Sequence, residues 1–343
     1  MINGHGDERL TTGTTPCLNF SNTVWHGADH TLLGEHLSRS LADCMRQYPE
    51  PDAATLRKMI ARRHGLKEDC IIVTNGPTQA IYLIAEAFAG KRVLIPSPAF
   101  AEYEDASRLY QSDVRLIAGN TPISEWPLEE VDICYIASPN NPDGRILSYA
   151  ELMQTIERYP AVLFVLDQSY ANYTTTNKIK PNDSKQHPNV ISFWSFSHAY
   201  GIPGLRIGYI VATEQHTHRM RRLVIPWSVN TIALEAAKYI LIHPAQFTLP
   251  IRSWLRSTQE LMSKLHQLDG LEVLPSETTF FLIRLKKGTA RELKEYLANE
   301  HNILIRDASN FAGLDESYAR ITSRDEASNN KLVAGISTWL QQQ

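Results

Sequence analysis

The sequence predicts an α/β fold: a mostly parallel sheet in a large domain, followed by a smaller α+β domain. Three observations predict it. From about residue 50, short apolar runs alternate with helical stretches in the βαβ manner. The runs, such as Cys70-Ile71-Ile72-Val73-Thr74, are apolar almost continuously rather than at every second residue, which is the pattern of strands covered on both faces. After Asn230 the signal changes to long helical stretches and then to a second mixed unit.

In chain order, Pro51-Asp52 opens an amphipathic helix through Arg63, and the strand Cys70 to Thr74 turns through Asn75-Gly76-Pro77-Thr78 into an apolar helix, Gln79 to Phe88. Further strands are expected at Arg92 to Ile95, Asp113 to Ile117, Ile133 to Ala137, Val162 to Leu166, Val190 to Trp194 and Ile207 to Val211, with helices Phe100 to Tyr110 and Tyr149 to Arg158 between them. The polar, proline-bearing stretch Asn177 to Pro188 reads as a surface loop. Helices Thr231 to Ile242 and Gln246 to Leu268 follow. The last unit holds strands near Leu271 to Leu274, Thr279 to Leu285, Ile303 to Ile305 and Tyr318 to Thr322, and helices Ala290 to Glu300 and Glu326 to Leu340. The organisation expected is an N-terminal arm (1–45) that joins the small domain, a large domain (46–240) and a C-terminal small domain (241–343).

With 343 residues, 43% of them apolar, the chain can bury a large core. A net charge of -3 gives no electrostatic reason to expect nucleic acid or an anionic membrane as partner. Arg219, Arg221 and Arg222 form a short basic cluster that reads as a solvated helix face. Four cysteines without CxxC spacing suit structural thiols in a reducing compartment. With no signal-peptide pattern and no spanning apolar run, the expected location is cytoplasmic. No metal site is expected: His26 and His30 have helical spacing but no Glu-x-x-His context. No GxGxxG follows a strand, which argues against a dinucleotide oxidoreductase.

Four segments at the ends of expected strands carry chemistry. Gly76-Pro77-Thr78 would place backbone N–H groups and a hydroxyl at a helix N-terminus, suited to a dianionic phosphate, although Pro77 removes one N–H. The same segment is also an ordinary turn before a proline-started helix. Asn140-Asn141-Pro142-Asp143-Gly144 follows Ile133 to Ala137 and is equally a good turn. Asp167 stands just past a buried strand, where a carboxylate is expensive without a partner. Finally, Ser195-Phe196-Ser197-His198-Ala199-Tyr200-Gly201-Ile202-Pro203-Gly204-Leu205-Arg206 joins two strands.

In this order the segments resemble those of the fold-type I, pyridoxal-phosphate-dependent (PLP) class I/II aminotransferase family. The resemblance covers nearly the whole chain. It implies that Gly76, Pro77, Thr78, Ser195 and Arg206 hold the cofactor phosphate, that Ser197 is another cofactor-binding residue, and that Phe100, two residues after Pro98, stacks on the ring. It further implies that Asn141 and Tyr170 hydrogen-bond O3′, that Asp167 pairs with the ring nitrogen, and that Tyr48 reaches the phosphate of a neighbouring subunit. A homodimer with composite sites is implied, with Asn230 near the shared site. His198 stands where the family carries the lysine that links covalently to the cofactor. An imidazole cannot form an imine with an aldehyde, so His198 could serve only as an acid–base group.

Within the family the chain is most similar to the histidinol-phosphate aminotransferase branch, and inside it to the threonine-phosphate decarboxylases of cobalamin biosynthesis. The matching segments include Arg46-Gln47-Tyr48-Pro49-Glu50-Pro51-Asp52, Pro226-Trp227-Ser228-Val229-Asn230 and Ile303-Leu304-Ile305-Arg306. The resemblance implies a small phosphorylated amino acid as substrate, with Arg320 on its carboxylate and Arg306, Arg324 and His5 as candidates for its phosphate. An aminotransferase and a non-catalytic binding protein remain as alternatives.

Overall fold

The computed structural model describes residues 18–176 and 179–343. The N-terminal part contributes β1 (Leu18–Asn19), α1 (Thr31–Arg46) and α2 (Ala54–His64). The large unit then runs β2 (Ile71–Thr74), α3 (Gly76–Ala87), β3 (Arg92–Ser97), α4 (Glu102–Leu109), β4 (Asp113–Ala118), β5 (Ile133–Ala137) and α5 (Tyr149–Arg158). It continues with β6 (Leu163–Asp167), α6 (Pro181–Gln186), β7 (Val190–Ser195), β8 (Gly208–Val211), α7 (Glu214–Arg221) and α8 (Thr231–Ile242). The C-terminal part holds α9 (Ile251–His266), β9 (Leu271–Val273), β10 (Phe280–Leu285), α10 (Ala290–His301), β11 (Ile303–Leu304), β12 (Arg306–Asp307), β13 (Tyr318–Thr322) and α11 (Glu326–Leu340).

The seven-stranded sheet has the order β2-β8-β7-β6-β5-β3-β4. Its neighbours are parallel except where β8 runs against both β2 and β7. The continuous apolar runs have the reason expected of them. In β6, Leu163 and Val165 join the cluster under α3 and α4, while Phe164 and Leu166 join the cluster under α5, so successive side chains bury on opposite faces. A four-stranded antiparallel sheet, β12-β13-β10-β9, packs with α10 and α11, and β1 pairs with β11 in parallel.

Helix ends follow local side-chain chemistry. Asn230 accepts a hydrogen bond from Ala233 N at the start of α8, and Asp325 accepts one from Ser328 N at the start of α11. Thr289 and Glu292 form a reciprocal capping box on α10. Four expectations need correction. The stretch 177–188 is not loop throughout: Pro181–Gln186 is a helical turn whose Pro181, Asp183 and Ser184 are buried, because Asp183 Oδ2 takes the Lys180 N–H and starts it. The helix expected from Gln246 begins at Ile251, since Pro250 cannot continue an earlier helix. The strand expected at Ile303 to Ile305 stops at Leu304, and the next, β12, starts at Arg306 in a different sheet. Arg221 is not merely solvated; it bonds Asp69 Oδ1 and the carbonyls of Glu68 and Ile71.

The carboxyl ends of β3, β5, β6 and β7 point the same way, so the loops after them meet at one edge of the sheet. Such an edge is where open α/β sheets bind ligands. Among the described residues no helix is long and apolar enough to cross a membrane.

Candidate active site

At that edge lies a cavity of about 490 Å³. Its walls include Pro77 and Thr78 from the start of α3, Phe100 after β3, Asn141 after β5, Asp167 and Tyr170 at the end of β6, and Ser197, His198 and Arg206 from the β7–β8 connection. Nearly all the residues singled out for the cofactor therefore converge. Gly76 and Ser195 stand just behind the lining. Gly76 has φ +79°, and a Cβ there would overlap the Arg206 guanidinium, so only glycine admits both the turn and the arginine. Ser195 Oγ accepts the Ser197 N–H at 3.0 Å.

Arg206 itself has φ +58°. Its Nη1 donates to Pro203 O at 2.9 Å and to Ser197 Oγ at 3.3 Å, which aims a cation across the N-terminus of α3. Partial burial lowers its pKa. A guanidinium and a helix N-terminus at one end of a cavity suit a dianion.

Asp167 is buried, and burial raises its pKa against two hydrogen bonds that hold it down. Oδ1 accepts from Ser169 N at 2.7 Å and Oδ2 from the Tyr103 hydroxyl at 2.5 Å. A buried carboxylate whose protein donors leave it destabilised favours a cationic ring nitrogen as neighbour. The sequence reading missed Tyr103. The signal was available: a buried acid needs donors, and Tyr103 lies three residues, nearly one helical turn, beyond Phe100 in α4. Phe100 meets Tyr103 edge to face at 5.9 Å, and Tyr103 stacks on Tyr135 at 5.3 Å.

His198 lies in the connection just past β7, which ends at Ser195. Its Nε2 lies 3.2 Å from the Tyr170 hydroxyl, whose oxygen lies 2.7 Å from Thr23 Oγ1, making a three-member polar chain. The His198 and Tyr170 rings are 4.5 Å apart. Burial, with the fields of Arg320 and Arg206, pushes the His198 pKa down to about 3. The imidazole is therefore neutral at ordinary pH. Among the described residues its buried Nδ1 has no hydrogen-bond partner.

Arg320 and Arg306 face each other in register on β13 and β12, side chains on the same side of the sheet. Both are buried. Arg320 donates to Asn141 Oδ1 at 2.5 Å and to Ser21 O at 2.6 Å, while its buried Nε has no partner among the described residues. Burial and the Arg306 charge lower its pKa to about 10. The bond to Asn141 has a second effect: with Oδ1 taken, the amide nitrogen is left as the donor toward the cavity. Arg306 donates to Asn310 Oδ1 at 2.7 Å.

Three predicted residues sit away from this group. Arg324 is half-buried and donates to Asn19 O at 2.9 Å, its charge acts on His26, and it does not line the cavity. Tyr48 is 88% exposed and does not line the cavity of its own chain. Asn230 caps α8 and donates to Leu205 O at 3.1 Å, bracing the connection that carries Arg206. His5 lies outside the described residues. Of the histidine pair set aside as metal ligands, His30 Nε2 sits 2.8 Å from Tyr200 O and His26 packs on Trp254. No cluster of three His, Cys, Asp or Glu that could hold a metal occurs among the described residues.

The chain is similar to known proteins along most of its length. A family model for aminotransferase class I and II matches residues 34–336. The threonine-phosphate decarboxylase of Salmonella typhimurium is 30% identical over 86% of this chain and 83% of the relative. A histidinol-phosphate aminotransferase of Ruminiclostridium cellulolyticum is 28% identical over 83% and 82%. Among solved structures, the L-threonine-O-3-phosphate decarboxylase from Porphyromonas gingivalis is 53% identical with a TM-score of 0.93, covering 94% of this chain and 99% of that one. A histidinol-phosphate aminotransferase from Sinorhizobium meliloti, solved in complex with pyridoxal-5'-phosphate, is 19% identical with a TM-score of 0.83, covering 97% and 93%, and shares the fold. The sheet order, the loops gathered at its carboxyl edge and these similarities make the chain a member of the aminotransferase class I and II family, with the fold-type I architecture.

Proposed function

We propose that this chain binds pyridoxal 5′-phosphate in the cavity and decarboxylates L-threonine O-3-phosphate to (R)-1-aminopropan-2-yl phosphate, at a rate limited by His198. The observation that carries the substrate assignment is the in-register pair Arg306 and Arg320. Two buried cations side by side repel one another, and a substrate with both a carboxylate and a phosphate would relieve that repulsion. Histidinol phosphate has a phosphate and no carboxylate, so that half of an aminotransferase reaction would use the pair less fully. The 53% identical decarboxylase supports the same choice. The site suits a cytoplasmic enzyme of cobalamin side-chain synthesis, assembled as a homodimer, with an arm (1–45), a large domain (46–240) and a small domain (241–343).

The residues present fit the cofactor. Arg206, Ser197, Thr78 and the N-terminus of α3 would take its phosphate, in a cup where Gly76 leaves no room for a side chain. Asp167 would keep the ring nitrogen protonated, and that cation would in turn stabilise the carboxylate. Phe100 would cover one ring face, while Asn141 Nδ2 and the Tyr170 hydroxyl would donate to O3′. When bound, the cofactor supplies an electron-poor ring that takes up the electron pair left as the Cα–carboxylate bond breaks. Arg320 would orient that carboxylate and Arg306 the substrate phosphate. The neutral His198 cannot form an imine with an aldehyde. Its Nε2 would sit in the polar chain to Tyr170 and Thr23, and to deliver a proton to Cα the imidazole would first have to take one up, which its lowered pKa opposes, so it would supply less than the about 10²- to 10⁴-fold of a well-matched acid.

The test compares the chain as it stands with His198→Lys. The lysine variant is expected to give a borohydride-stable PLP adduct and to release CO2 from threonine phosphate much faster than the unmodified chain. A lysine variant that binds PLP covalently, transaminates histidinol phosphate with 2-oxoglutarate and releases no CO2 overturns the decarboxylase reading in favour of the aminotransferase.

A further inference from the structure

The largest cavity described, about 720 Å³, lies outside the active site, between the β4 edge of the large sheet and the four-stranded sheet. Its walls are mainly apolar, with Leu116 on one side and Leu274, Leu282, Leu314 and Tyr318 on the other. A second cavity of about 380 Å³ adjoins it at Gly119, Asn120, Arg145 and Ile146. At this junction stands Arg145. Gly119 lets the guanidinium lie against the backbone, where any Cβ would overlap it.

Arg145 is poorly satisfied. Its side chain is 24% exposed, and the guanidinium makes no hydrogen bond among the described residues. The nearest carboxylate is Asp143, whose Oδ2 is 3.6 Å from Nη1. That carboxylate is already engaged, since Oδ1 accepts from Asn140 Nδ2 at 2.7 Å and from the Arg145 N–H at 3.1 Å. The other charge on the lining, Glu277, is exposed. A guanidinium with free donors facing an apolar cavity is the recognition pattern for an anion with an apolar body.

Two segments connect this cavity to the active site. Pro98 lines the new cavity and Phe100, two residues on, lines the active one. Likewise Asn141 lines the active cavity, while Asp143 and Arg145 line the new one. We propose that the cleft around Arg145 is a binding site for a small amphipathic carboxylate, and that its occupancy changes cofactor affinity by moving the 98–100 and 141–145 segments. Because the cavity is walled by both sheets, and Ser97 Oγ donates across it to Ala312 O, a ligand there also affects how the two sheets sit together.

The probe is octanoate, with octan-1-ol as its neutral counterpart, titrated calorimetrically into the full chain. Octanoate is expected to bind saturably at one site, about tenfold or more tighter than octan-1-ol, the advantage of a charge-assisted bond. Arg145→Met should remove that advantage and leave alcohol binding in place. Leu116→Trp, which fills the cleft from an exposed position, should weaken both ligands. Octanoate should also shift PLP affinity, read by absorbance, by about fivefold to a plateau, and PLP should shift octanoate affinity by the same factor. Equal binding of octanoate and octan-1-ol, or octanoate binding untouched by Arg145→Met, overturns the site. A PLP effect that grows without plateau marks competition in the active cavity and overturns the proposal as well.

Discussion

At the residue scale, His198 is held neutral at a position packed among cations. Burial and the fields of Arg320 and Arg206 act together, so its pKa falls to about 3 rather than rising as it would beside a carboxylate. The consequence for stability has a definite sign. In the unfolded chain the imidazole titrates near 6.5, so between about pH 6.5 and 3 the unfolded state binds the extra proton and stability falls as pH falls. The expected slope from this one group is at most about 1.4 kcal/mol per pH unit. Denaturant titrations of the apo chain at pH 7, 6, 5 and 4 should show stability declining, and His198→Asn should flatten the decline. A slope identical in the two proteins would mean that the imidazole is already charged in the native state. Asp167 works in the opposite sense. Its raised pKa makes the folded state the better proton binder, so its contribution is lost as pH rises through that raised value. Bound PLP should remove this second effect by giving the carboxylate a cation.

At the scale of elements, the N-terminus of α3 shows both what the sequence conveyed and what it withheld. Glycine then proline after an apolar strand is legible as a turn into a helix, and a helix N-terminus is legible as an anion site. That Gly76 is required by the Arg206 guanidinium, 130 positions later in the chain, is not legible, because the contact exists only once β2 and β8 pair. The same division recurs. Asp167 was recognisable from its strand, but its donor Tyr103 is delivered by α4 from another loop. Arg306 and Arg320 were each noted, yet their opposition depends on a two-residue strand, β12, too short for any periodicity to announce. The break at Pro250 was visible and outweighed by the helical pattern on either side. Gly76→Ala tests the cup directly. A Cβ at φ +79° costs about 1–2 kcal/mol of backbone strain, and it displaces the arginine as well. Equilibrium dialysis should show PLP affinity falling by more than tenfold while the fold persists. Equal affinity in the variant would place the phosphate elsewhere.

At the scale of the whole molecule, the surface around Tyr48 presents exposed apolar side chains. Met45 at the end of α1, Tyr48, Ile225 and Trp227 are all more than half exposed, and the Tyr48 and Trp227 rings lie 5.9 Å apart. Trp227 is also held at φ +60°, an uncommon conformation for a non-glycine residue, with its N–H on Pro51 O at 3.0 Å. Large apolar side chains presented together by separate segments mark an interaction surface. A two-fold partner would cover them and could bring its own Tyr48 toward the phosphate end of this cavity, a contact Tyr48 does not make within its own chain. Sedimentation velocity at micromolar protein should therefore give a dimer, and Trp227→Glu should shift it toward monomer, since a carboxylate would be buried in the interface without a partner. Tyr48→Phe should leave the dimer intact and weaken PLP retention, because only the hydroxyl is lost. A monomeric unmodified chain would defeat the shared-site arrangement, and a dimer in which Tyr48→Phe retains PLP fully would leave the assembly standing without the hydroxyl's role in it.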